Sequence, residues 1–307
     1  RLERQIFGAW MYWLTGPRDS GRTKGEFVEV LEEVERALRD ANGGGKGKGF
    51  FLGDDVSIVD LMFAPFLERM AASLLFFKGF KMRVAKGEDS PYPYLNRWFD
   101  AMETLESYQL TKSDYYTHCW DLPPQLGGCS YDTQGEPYER AINGEKLLQG
   151  TGGSWELPLQ PHNGGVEPDW TWCGDDDTAK REATERLSHN HENIVKFAAR
   201  GAGKQGFPPF SAPLADPNAI PAEAVTVAVD AVLRTIAMAM LKDTDAVSKD
   251  MTNLASVVKA GGQEFQDATV KSLAYLRDRV GVPRDMRLPA ARNLRAHINW
   301  SLKYIID

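Results

Sequence analysis

The stretch Phe50 to Leu61 (FFLGDDVSIVDL) constrains this chain more than any other. Ser57 stands ahead of an apolar run, and Asp60 follows three residues later. That is the spacing of a capping box: the hydroxyl serves a backbone amide of the first turn while the carboxylate reaches back to the Ser57 amide. Asp replaces the more usual Glu or Gln with a shorter arm. Val56 and Leu61 flank the box as a hydrophobic staple. Leu61, Met62, Phe63, Phe66, Leu67, Met70 and Leu74 then predict an apolar helix reaching Phe77. Pro65, inside it, should kink it by deleting one backbone donor.

Helical spacing continues on both sides. Leu2, Ile6, Trp10, Trp13 and Leu14 predict a helix over 1–15, and Phe27, Val30, Leu31, Val34 and Leu38 another over 24–41. Residues 43–49 (GGGKGKG) read as a flexible connector; they lack the first Gly and the Ser or Thr of a phosphate loop. Pro91 and Pro93 open a helix over 92–105. Helices joined this closely make a bundle. Gly, Pro and aromatic residues dominate 107–172, predicting an extended arm with one helix near 136–149. Helices follow over 176–199, 222–241, 245–260, 263–279 and 289–305, interrupted at 201–221 by prolines 208, 209, 213, 217 and 221. The fold class is mainly α. Its parts are a helical domain at 1–110, an arm at 111–175 and a helical extension at 176–307.

The formal net charge of −7 argues against a broad nucleic-acid surface. No run of about 20 apolar residues predicts a transmembrane segment; the stretch 222–241 carries Glu223, Asp230 and Arg234 and reads as a core helix. Three cysteines in 307 residues make no disulfide framework, which points to an intracellular, reducing compartment. The first residue is Arg1, so a targeting segment could have preceded it.

The capped helix, AWMYWL at 9–14, PFLERM at 65–70, YLNRWFDAME at 94–103, THC at 117–119, LRDR at 276–279 and VPRDM at 282–286 together resemble a plant and algal glutathione transferase-like family. The general transferase likeness spans roughly 1–110 and concerns the C-terminal helical domain of such enzymes. The resemblance implies that the capping box and staple are a folding signal, not a catalytic site. It also implies a thioredoxin-like N-terminal half that binds glutathione and carries the catalytic residue; no part of this sequence reads as that half. No catalytic, cofactor-binding or metal residue is therefore assigned. Glutathione enters only if an upstream thioredoxin-like domain exists. The family resemblance further suggests a chloroplast location and a large plastid complex as partner.

Trp10 and Trp13 are the candidates for an apolar pocket, with core packing the favoured reading. His118, Cys119 and Cys129, even joined by His162 or Cys173, match no zinc spacing. His189 and His191 sit two apart on one predicted helix and point to different faces. Asp175, Asp176 and Asp177 suit a helix start. Arg277, Arg279, Arg284, Arg287, Arg292 and Arg295 make the end of the chain basic, with Asp278 and Asp285 placed for internal ion pairs. Three functions stay open: a non-catalytic module that docks on other proteins, a glutathione-dependent transferase whose catalytic half lies outside this sequence, and a carrier of an apolar small molecule.

Overall fold

The computed structural model describes residues 1–16, 21–146, 148, 153–159, 166–167, 176–209 and 216–307. Among these there is no strand, only the isolated bridges Phe50–Gly53 and Lys204–Ile220. The chain divides into two units, Arg1–Thr151 with Gly164–Trp170, and Gly152–Asn163 with Thr171–Asp307.

The first unit contains α1 (Leu2–Thr15), α2 (Gly21–Ala41), α3 (Ile58–Lys78), α4 (Pro93–Met102), α5 (Glu106–Thr111), α6 (Tyr115–Leu126) and α7 (Glu136–Ile142). α3 is its axis, packed against α1, α6 and α7, while α2 joins α1 to α4. Every residue from Met70 to Lys78 is buried, as a helix surrounded on all sides requires. Aromatic rings fill the space around it. Phe51 stacks on Phe63 at 4.3 Å, and Trp13 meets Phe27 and Phe80 at 5.4 Å each. α3 runs unbroken through Pro65. The carbonyl that loses its donor belongs to Leu61, an exposed residue, where water can replace the bond.

Two expectations change here. The stretch read as an extended arm contains α6, which packs on α3. Asp114 caps it by accepting from Thr117 N at 3.2 Å, and Pro123 and Pro124 fall in its last turn, ahead of the left-handed Gly127. The glycine-rich stretch is also not a loose connector. Asn42 O accepts the amides of Gly45, Lys46 and Gly47, Asn42 Oδ1 accepts Gly49 N at 2.7 Å, and Arg97 donates to the carbonyls of Gly45 and Gly47. Gly49 (φ 115°) lies so close to α4 that a Cβ would stand 2.9 Å from Arg97 O.

The second unit contains α8 (Asp176–His189), α9 (His191–Ala198), α10 (Thr226–Lys242), α11 (Thr244–Ala260), α12 (Gln263–Arg279) and α13 (Leu288–Ile306). Its contiguous core consists of Val, Leu, Ile, Met and Ala side chains, among them Val229, Leu233, Ile236, Met251, Leu273, Leu294 and Ile298. α10, with the turn ahead of it, is long and apolar enough to cross a membrane by length and composition. Here it packs against α8, α11 and α13. The helix expected over 176–199 is two helices. Asn190 leaves helical geometry (φ −132°, ψ 41°) and separates α8 from α9, its side chain accepting from Asn193 Nδ2 at 2.6 Å.

α13 is the axis of this unit, with every residue from Ala290 to Ile298 buried. Arg292 and Arg295 are therefore not part of a basic surface. Arg292 donates to Ser154 O at 2.9 Å; Arg295 donates to Val280 O at 2.7 Å and lies over the Trp155 ring at 5.1 Å. Three of the other C-terminal arginines do form ion pairs: Arg277 with Asp278 (2.7 Å), Arg284 with Asp285 (2.9 Å) and Arg287 with Glu182 (2.8 Å).

Candidate functional site

Asp60 is fully buried and serves more groups than a cap requires. Its Oδ2 accepts Ser57 N at 2.8 Å and Ser57 Oγ at 2.7 Å, while Ser57 Oγ accepts Val59 N at 3.3 Å. Its Oδ1 accepts Phe51 N and Trp98 Nε1, both at 2.9 Å. One carboxylate thus ties the loop before α3, the first turn of α3 and the middle of α4 together. α4 is positioned in turn by α2: Glu35 accepts Tyr94 N at 2.8 Å and Leu95 N at 2.7 Å, capping α4 from 59 residues away. Burial raises the Glu35 carboxyl above its usual range, and these two amide hydrogen bonds pull it back only in part.

On this base the chain sets apolar side chains in solvent. Leu52, Val56, Ile58, Leu61 and Met62 are between 42% and 69% exposed. Ile58, Leu61 and Met62 fall at i, i+3 and i+4, so they share one stripe of α3. One turn on, Phe66 meets the exposed Phe7 edge-to-face at 5.1 Å. The staple residues Val56 and Leu61 therefore belong to the outer face of the capped turn, and the cap is held chiefly by Asp60.

Trp10 and Trp13 lie inside the core of the first unit. Trp10 Nε1 donates to Ser73 Oγ at 3.0 Å, and Trp13 is enclosed by Phe27 and Phe80. Almost none of either ring is left for a ligand to touch. His118 Nε2 lies 3.5 Å from Glu68 Oε2 in the α3–α6 contact. Cys119 and Cys129 are free thiols. Burial raises Cys119 well above the ordinary thiol range and pushes Cys129 up to about 12, so both are held protonated, the wrong state for a nucleophile. His162, Cys173 and Asp175 lie outside the described residues. Among the described residues no three His, Cys, Asp or Glu groups converge on a metal-sized position. His189 is exposed, whereas His191 pairs through Nε2 with Asp230, whose carboxyl Arg234 and His191 hold below its usual range. Asp176, in the first turn of α8, pairs with Lys180 at 3.0 Å.

The sequence pattern announces Ser57 and Asp60 but not Trp98, Glu35, Asn42 or Arg97. Their partners are far away in the chain, and no local spacing signals them.

The stretch that holds α2, the capped α3 and most of α4 is also the one that a comparison with known families picks out. Residues 21–101 match the family model of the glutathione S-transferase C-terminal domain. The first unit carries a glutathione S-transferase C-terminal-like domain. The match takes in the Ser57–Asp60 cap and Trp98, and it leaves Trp10 and Trp13 outside. No curated protein and no solved structure matches the chain. In this transferase-like domain the most conspicuous chemical feature is therefore structural: a buried carboxylate that fixes the end of α3, beside apolar side chains exposed among the described residues.

Proposed function

We propose that this chain is a non-catalytic, glutathione-transferase-like helical module that docks on another protein through the capped end of α3. The observation that carries the reading is the exposed stripe Ile58, Leu61 and Met62, with Leu52 and Val56 also exposed in the loop ahead of it. A contiguous apolar face is costly in water and stabilising when covered by a partner, at roughly 25 cal/mol per Å² removed from solvent. The buried Asp60 network beneath it holds the face in one conformation, which lowers the ordering cost of association. The family resemblance supports a plastid assembly as the setting.

The test compares the native protein with the double variant Ile58→Glu/Leu61→Glu. Native extract is separated by size, with circular dichroism of both purified proteins as the folding control. Wild type should elute in a high-mass fraction and the double variant as free protein with the same helicity. Wild type eluting only as free protein would sink the reading.

The same face favours a second reading, in which a thioredoxin-like domain of the same polypeptide covers it and supplies a glutathione site. Retention on glutathione resin of the product of the intact transcript tests that version. No side chain of the present sequence is assigned a catalytic part in it.

A further inference from the structure

We propose that the second unit holds a binding site for an organic phosphate, a small molecule with a phosphoryl head and an apolar or aromatic body, in the cleft where α8 and α9 face the α12–α13 turn. The cleft encloses about 750 Å³, within the range of ligand pockets. This goes beyond the docking face of the first unit and does not depend on it.

The floor is core. Leu187, Leu276, Val280, Met286 and Leu294 line the cleft and belong to the contiguous apolar cluster of the unit. Phe197 supplies an aromatic wall, its ring 5.1 Å from that of Tyr275. Such a surface suits the body of a ligand and gives an inorganic ion nothing extra.

The rim has the opposite character. Arg186, Lys196, Arg200, Arg279 and Arg284 line the cleft against a single carboxylate, Asp285. That carboxylate is already engaged, by Arg284 at 2.9 Å and by the Gly281 amide at 2.8 Å. Arg186, Lys196 and Arg200 have no carboxylate partner among the described residues. This concentration of cations stands on a chain whose formal net charge is −7. Arg200 is held in place: Nη2 donates to Pro217 O at 3.0 Å, and the guanidinium lies 5.6 Å from the Phe197 ring centre.

Charge count and donor type select the head group. A single carboxylate would answer one of the unpaired cations, whereas a phosphoryl dianion with three acceptor oxygens can answer several. Guanidinium forks match that geometry in pairs. Low-dielectric walls beneath the rim strengthen the attraction relative to an open surface.

Calorimetry on the intact protein with three probes tests the assignment: 1-naphthyl phosphate (head and body), inorganic phosphate (head alone) and 1-naphthol (body alone). The phosphate ester should bind at least about tenfold more tightly than either fragment, and more weakly as salt is added. Arg186→Glu/Lys196→Glu changes two exposed side chains in the last turns of α8 and α9. It should lower affinity for the ester by about tenfold or more with helicity unchanged. Absence of binding at millimolar ester, equal binding of 1-naphthol, or full affinity in the double variant would overturn the proposal. If the double variant loses helicity, Lys196→Glu alone, read by the salt dependence of ester binding, takes its place: a salt dependence as steep as wild type overturns the proposal, and a shallower one upholds it.

Discussion

Each unit is organised around one helix buried on every side, and the two are secured in different ways. In α3 the run Met70–Lys78 is buried, and in α13 the run Ala290–Ile298. The first is fixed at its N-terminus by side chains that lie beside it in sequence, Ser57 and Asp60, with aromatic rings packed around the rest. The second has no side-chain cap; Pro289 opens it, and a carboxylate from another helix, Glu182, accepts the Arg287 amide at 2.8 Å. It is secured along its length instead, by buried cations that reach the carbonyls of Ser154 and Val280. Local hydrogen bonding can be written in a few residues. Buried charge must be matched by partners that only the finished fold supplies.

Mutations can break or sharpen that contrast. The largest effect is expected for Asp60→Ala, which leaves the Trp98 indole and the amides of Phe51 and Ser57 without an acceptor. A loss of about 4 kcal/mol in urea titration follows from the cost of unsatisfied buried donors. Arg295→Ala should cost about 3 kcal/mol, because it empties a packed site and strands the Val280 carbonyl. Arg295→Met should recover most of that loss, since an apolar side chain of similar length removes the desolvation cost of the charge. If Met is as damaging as Ala, the guanidinium contacts outweigh packing and the comparison sharpens. Ser57→Ala should cost about 1 kcal/mol, the usual value of one cap. A loss as large as that of Asp60→Ala would mean that the hydroxyl, and not the carboxylate, holds the joint.

The smallest effect concerns acid. Burial lowers the His297 imidazole below its ordinary value, opposed by its hydrogen bond from Nδ1 to Asn293 O (2.7 Å) and aided by the charge of Lys180. The folded form therefore binds the proton less readily than the unfolded form. The contribution is whole above the ordinary value near 6.5 and is lost as pH falls through the lowered one. His297→Gln should flatten the decline in melting temperature between about pH 7 and pH 5.5. An unchanged slope would assign the acid sensitivity to other groups.

These differences also explain what could be read from the chain. The helix over 263–279 was legible to the residue, and α1, α3, α11 and α13 nearly so, because their apolar spacing is a local signal. The cap was legible for the same reason. α6 was not, since its proline pair and aromatic texture imitate an irregular arm, and it is helical because it packs on α3. Nor were Arg292 and Arg295, whose spacing among acidic neighbours suggested surface ion pairs. Of the two candidate sites, the docking stripe lies in plain view as Ile58, Leu61 and Met62 but passes for core in a one-dimensional pattern. The phosphate cleft gathers Arg186, Lys196, Arg200, Arg279 and Arg284 from distant positions, and nothing short of the fold brings them together.

The glycine-rich stretch after α2 has a consequence for how this protein can change over generations. Stretches of that composition usually tolerate drift in length, since adding or dropping a residue merely lets out slack. Here the register between Asn42 and Arg97 leaves no slack: one residue more or fewer would move both carbonyls away from the guanidinium that grips them. A segment that looks expendable is thus one whose span is pinned.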